Sequence, residues 1–199
     1  LTCNSATFET CYTNGGAGGG IYIFNELNLT NQVILKDLTF HSCRALFGGA
    51  IYIYSLSKNN PVYIHDCKFN LNQATSDSGT FYGGSAIYLT VYYAQVKRNI
   101  FMKNKGIGGT IKINTNFDEK PKNNEEYHLI FLQTDFAQVQ ENIHQAISIA
   151  SCSFEMTNDE NCSIFYVNGK QSIKTEIKDC TFKGNPSKEF RFIDGKSLI

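Results

Sequence analysis

Gly48-Gly49-Ala50-Ile51-Tyr52-Ile53, followed by Val62-Tyr63-Ile64-His65-Asp66-Cys67-Lys68-Phe69 and then Asn72, is the stretch that decides the fold. Its first part is a glycine corner running into a strand in which apolar residues alternate. Its second part alternates at Val62 and Ile64, skips one residue, and returns inside at Cys67 and Phe69. A one-residue break in a period of two moves the inward face, as a bend between two sheets does. The unit is therefore a coil and not a hairpin.

The same unit recurs along the chain. Glycine corners precede Ile21-Tyr22-Ile23, Ile87-Tyr88-Leu89 and Ile111-Lys112-Ile113, and Phe-marked strands end at Phe8, Phe40, Phe101 and Phe182, with degenerate copies at Phe136 and Phe154. Through Phe8, Phe40, Phe69, Phe101, Phe136, Phe154 and Phe182 the intervals are 32, 29, 32, 35, 18 and 28 residues. Units of this length that cannot bury their own apolar face must stack on their neighbours. The expectation is an all-β, right-handed parallel β-helix, a solenoid of about six or seven coils forming one domain over residues 1–199. No segment sustains a 3.6-residue apolar stripe, so a helical fold is not expected.

Two corner features carry further expectations. Gly pairs mark places that need positive φ or close backbone approach. Asn72, Asn104 and Asn185 stand three residues after a Phe, where Cys11 and Cys43 stand in the first two coils. Asn stacked at a turn can hydrogen-bond from coil to coil.

Gly-Gly-Ala-Ile at 48–51 and Phe-x-x-Asn at 69–72, 101–104 and 182–185 resemble the repeats of polymorphic outer membrane proteins and related large surface proteins. The resemblance covers most of the chain and implies a pectin-lyase-like right-handed β-helix outside the cell, in an adhesive or surface-coat role. The glycine corner lapses between Phe131 and Tyr166.

Composition narrows the function classes. Eighteen basic residues balance eighteen acidic ones, so no global field draws nucleic acid or an anionic membrane, and no apolar run approaches the roughly 18 residues of a spanning helix. Seven Cys and two sequons, at Asn28 and Asn161, favour the secretory route and an extracellular or cell-surface location, with N-glycans as the expected carbohydrate. The chain opens at Leu1 without Met or a leader and is expected to be a piece of a longer protein.

Four sets of residues are candidates for chemistry or contact. Cys11 with Cys43, and Cys152 with Cys180, occupy matching places in neighbouring coils, where rungs about 4.8 Å apart permit either disulfides or stacked free thiols. Asp37, Asp66 and Arg98 form a column three residues before the Phe, readable as an ion-pair ladder, a Ca²⁺ site or a groove for sugar acids. Tyr22, Tyr52 and Tyr88 recur between inward Ile residues and are expected to form an exposed aromatic ladder suited to sugar rings or a second solenoid. Residues 114–127 and 75–82 read as protruding loops. The four His are dispersed and no Cys-x-x-Cys occurs, so neither zinc nor another cofactor is expected. The leading expectation is a structural or adhesive module that builds a coat, rod or filament by self-association or with another chain. The alternative is a carbohydrate-active enzyme, polysaccharide lyase-like or hydrolase-like, or a carbohydrate-binding module.

Overall fold

The structure is a computed structural model and describes residues 1–25, 32–76, 83–106, 109–114, 146–155, 163–168, 174–184 and 191–195. It is an all-β parallel solenoid, with about four turns within residues 1–114 and further strands continuing the same sheets. Three sheets of six strands run along it. The first contains Thr2–Asn4, Val33–Lys36, Val62–His65, Tyr93–Lys97, Ala146–Ala150 and Lys174–Lys178. The second contains Thr7–Glu9, Thr39–His41, Lys68–Asn70, Ile100–Met102, Ser153–Glu155 and Thr181–Lys183. The third contains Ile21–Asn25, Ile51–Ser55, Ile87–Thr90, Ile111–Asn114, Ser163–Asn168 and Arg191–Gly195. A narrow fourth sheet pairs Arg44–Ala45 with Gln73–Ala74, and single bridges extend it to Tyr12 and Lys105.

Register places like on like. Phe8, Phe40, Phe69, Phe101, Phe154 and Phe182 are successive partners. Their rings form one stack with centroids 4.7–5.4 Å apart and interplanar angles of 2–13°. The spacing is that of paired strands, so rung pairing itself holds the rings face to face. Around them Val33, Leu35, Val62, Ile64, Ala94, Val96, Ile147 and Ile149 fill the interior from the first sheet, and Ile51, Ile53, Ile87, Leu89, Ile111 and Ile113 from the third. Phe154 follows Phe101 directly in this column, so the coil expected to end at Phe136 is not inserted between them. Phe136 itself lies outside the described residues.

The glycine corners behave as the sterics require. Gly18, Gly48 and Gly84 have φ of 59–64°, and a Cβ on Gly48 would sit 2.6 Å from the Ile51 carbonyl oxygen. Gly49 meets the next rung instead, with a Cβ position 2.2 Å from the Ser85 carbonyl oxygen. The pair thus divides the work, one residue turning the chain and the next admitting the neighbouring backbone.

Candidate functional site

A left-handed residue other than glycine makes the bend before each of the six stacked Phe, and another makes the bend after the first four. Ser5, Asp37, Asp66, Arg98, Ser151 and Asp179 lie three residues before the Phe with φ of 52–59°, and Thr10, Ser42, Leu71 and Lys103 lie two residues after it with φ of 51–57°. Asp and Ser are among the residues that tolerate this region or bend at turns, whereas Leu, Lys and Arg rarely enter it. Hence the Asp37, Asp66 and Arg98 column is first of all a row of corner residues.

Its charges are paired locally. Arg98 donates from Nε to Asp66 Oδ1 and from Nη2 to Asp66 Oδ2, both at 2.7 Å, and Lys36 Nζ lies 3.7 Å from Asp37 Oδ2. The two-pronged hydrogen bond from Arg98 lowers the Asp66 carboxyl below its ordinary range, and the same contact raises Arg98. The column thus holds one ion pair between rungs, Arg98 with Asp66, and one within a rung, Lys36 with Asp37. Among the described residues no group of three or more His, Cys, Asp or Glu is placed to hold a metal ion.

Each left-handed residue throws the next residue's side chain inward, and there a hydrogen-bonding rule emerges. Asn72 Oδ1 accepts from the Cys43 N–H at 2.9 Å, and Asn72 Nδ2 donates to the Phe40 carbonyl at 3.2 Å. Asn104 repeats this one rung on, accepting from the Asn72 N–H at 3.0 Å and donating to the Phe69 carbonyl at 3.0 Å. At the other bend Asn99 accepts from the Cys67 N–H at 2.7 Å and donates to the Ile64 carbonyl at 2.8 Å. Every carboxamide thus bridges an N–H and a C=O of the preceding rung that the bend removes from the ladder. Asn185 lies outside the described residues.

Cysteine fills the same places and reaches the same carbonyls. Cys43 Sγ lies 3.4 Å from the Phe8 carbonyl, Cys67 Sγ 3.7 Å from that of Leu35, Cys152 Sγ 3.5 Å from that of Val96, and Cys180 Sγ 3.8 Å from that of Ile149. Each is a weak thiol donor standing where Asn stands in other coils, and Cys67, Cys152 and Cys180 lie nearer still to a carbonyl of their own rung, those of His65, Ala150 and Lys178 at 3.1–3.3 Å. All described cysteines, Cys3, Cys11, Cys43, Cys67, Cys152 and Cys180, are free thiols. Of the two readings for Cys11 with Cys43 and for Cys152 with Cys180, the structure holds stacked thiols and no disulfide. Burial pushes Cys43 and Cys67 up to about 12 and Cys152 up to about 11, so these thiols stay protonated near neutral pH. Asn99 escaped notice in the sequence, although its place two residues before a Phe is the one that Cys67, Cys152 and Cys180 share.

The tyrosine ladder forms but is not exposed. Tyr22, Tyr52 and Tyr88 are register partners, with ring centroids 5.2 and 5.3 Å apart. They are 2 %, 0 % and 0 % exposed, which removes the expected open platform for sugar rings. Ala17 and Phe47, from the segments that precede the glycine corners, pack on this outer face, and the Phe47 ring stands 5.3 Å from Tyr52 and 5.6 Å from Tyr88. Lys112 continues the column as the partner of Tyr88, fully buried, with Nζ 5.1 Å from the Tyr88 ring centroid. The third sheet is therefore buried on both faces through these rungs.

The sequons at Asn28 and Asn161 lie outside the described residues, as does nearly all of the loop at 114–127. Asn114 is the exception and ends a strand, buried. In the other expected loop, Thr75 and Ser76 continue the parallel pairing through N–H bonds to the carbonyls of Ala45 and Leu46. No helix among the described residues is long and apolar enough to cross a membrane. Fold and corner geometry together define a parallel β-solenoid scaffold. No family model, no curated protein and no solved structure matches this chain.

Proposed function

We propose that this chain is an extracellular structural and adhesive module, a right-handed solenoid of six or seven coils serving as a segment of a surface coat, rod or filament. The observation that carries the reading is the unbroken side-chain stack, six phenylalanine rings in register with hydrogen-bonded Asn and thiol corners on either side. Such a stack makes a stiff body whose length grows with rung number, which suits a spacer or coat element. The six strands in each long sheet support the coil count. The likeness of the Gly-Gly-Ala-Ile and Phe-x-x-Asn units to surface-protein repeats supports the location, whereas the cysteines no longer do, because their corner role needs no oxidising compartment.

Electron microscopy of native material tests the proposal: rods, lattices or filaments containing the chain are expected, and a dispersed particle with no such assembly sinks it. A second arm addresses the alternative. Incubation with several polyuronates, with and without Ca²⁺, across pH values is expected to release no unsaturated sugar; reproducible release would make the chain an enzyme. Glycosidase treatment of secreted protein is expected to lower its mass by one or two glycans at Asn28 and Asn161, and an unchanged mass from a glycosylating host would remove that part.

A further inference from the structure

The two bends of the solenoid differ in electrostatics, and the difference points away from the column that the sequence singles out. At the bend before the Phe, Asp37 and Asp66 are matched by Lys36 and Arg98. At the bend after it, the described residues of the first four rungs, 9–14, 41–47, 70–76 and 102–106, contain Arg44, Lys103 and Lys105 against one carboxylate, Glu9. Arg44 and Lys103 form no ion pair with a described residue.

Backbone pairing lines these groups up. Tyr12 is the partner of Arg44, Arg44 of Gln73, and Gln73 of Lys105, so four side chains follow one another along the solenoid axis on the narrow fourth sheet. At one rung per 4.8 Å or so the row spans about 14 Å. Lys103 and Leu71 stand on the left-handed bend beside it. Tyr12 is 60 % exposed and Leu71 47 %, and Arg44, Lys103 and Lys105 are exposed as well. An open Tyr ring, an Arg fork, a carboxamide and one ammonium group set in a row, with a second ammonium group, that of Lys103, on the bend beside it, match a linear polymer with ring faces, hydroxyls and anionic groups.

We infer that this row, with the bend beside it, binds an acidic polysaccharide, with Arg44, Lys103 and Lys105 on its carboxylates or sulfates, Gln73 on its hydroxyls and Tyr12 against a sugar ring. The inference rests on the adhesive reading above and names the ligand class for it. A nucleic acid fits less well, because tight phosphate binding draws on many cationic contacts and a favourable overall field, while this chain is neutral overall. A neutral glycan would leave Arg44 and Lys103 unused.

The test is direct binding of the whole chain, by calorimetry at low salt, to polygalacturonate and to a sulfated dextran, with neutral dextran, polyglutamate and a single-stranded oligonucleotide alongside. Saturable binding is expected to at least one of the two acidic polysaccharides, weakened strongly once salt shortens the Debye length to a few ångströms. Which of them binds separates carboxylate from sulfate recognition. Arg44→Ala combined with Lys103→Ala is expected to weaken affinity at least about tenfold, and Tyr12→Ala to weaken it severalfold. Lys36→Ala combined with Arg98→Ala, at the opposite bend, is expected to leave it unchanged. Circular dichroism of each variant confirms that the solenoid persists. Absence of binding by the parent chain, an equal loss in the Lys36 and Arg98 variant, or tighter binding of polyglutamate or the oligonucleotide would each overturn the assignment. Microscopy of the same preparation reads the rod or coat separately, so failure here leaves that result standing.

Discussion

At the residue scale, the organising fact is that Asn and Cys do one job at the inner corners. Asn72 holds both a backbone N–H and a carbonyl of the rung before it, in a site with no access to water. Asn72→Ala should therefore cost about 3 kcal/mol, the penalty for leaving buried backbone groups unsatisfied. Chemical denaturation measures it, and a loss below 1 kcal/mol or so would contradict the role. Cys67 occupies the place that Asn99 occupies one rung later and reaches the equivalent carbonyl. Cys67→Asn should keep or raise the melting temperature, because the carboxamide replaces a weak donor with a strong donor and acceptor; a clear fall would show that the two corners are not interchangeable. On the surface, removing Arg98 by Arg98→Ala should move the Asp66 carboxyl back up toward the ordinary carboxylate range in an NMR titration. The sign for stability follows from the lowered folded-state value: the Asp66 contribution is complete above the unfolded carboxyl range and fades as pH falls through the lowered value. Both partners are substantially exposed, so the stability effect is small and the titration is the sensitive readout.

At the scale of single elements, corners govern more than strands do. Gly48 turns the chain with φ of 59° and has the Ile51 carbonyl where a Cβ would go. Gly48→Ala should lower stability by more than about 2 kcal/mol, since a left-handed backbone and a backbone collision act together. An unchanged denaturation midpoint would remove the steric account of the glycine pairs. This part of the structure was legible in the sequence, because Gly-Gly followed by Ile-Tyr-Ile encodes a corner and a strand through local chemistry alone. The Phe-x-x-Asn corner was legible for the same reason. The bends made by Asp37, Asp66, Arg98, Leu71 and Lys103 were not, because left-handed geometry at non-glycine residues leaves only a weak mark in composition. Asp37 and Asp66 could then pass for a functional pair when their place in the coil explains them.

Across the whole molecule, the solenoid was readable and its outer dressing was not. Period-two patterning reports which side chains point inward and says nothing about what packs on the outward face. Tyr22, Tyr52 and Tyr88 point outward as the alternation requires, yet Phe47 and Ala17 close over them. That covering depends on segments whose path no periodicity encodes. A second non-local feature is the rung that follows Phe101. The Phe spacing counted coils ending at both Phe136 and Phe154, whereas register sets Phe154 directly on Phe101, with Ile147, Ile149 and Cys152 in the inward set.

The central claim is rung-on-rung stacking of this chain, and the phenylalanine column is its most direct witness. In a sample labelled only in its Phe rings, ring-to-ring NOEs should connect Phe8 to Phe40, Phe40 to Phe69, Phe69 to Phe101, Phe101 to Phe154 and Phe154 to Phe182, as centroid distances of 4.7–5.4 Å require. A chain of contacts in that order is the predicted result. Contacts from Phe101 to Phe136 in place of Phe154, or no sequential chain at all, would contradict it.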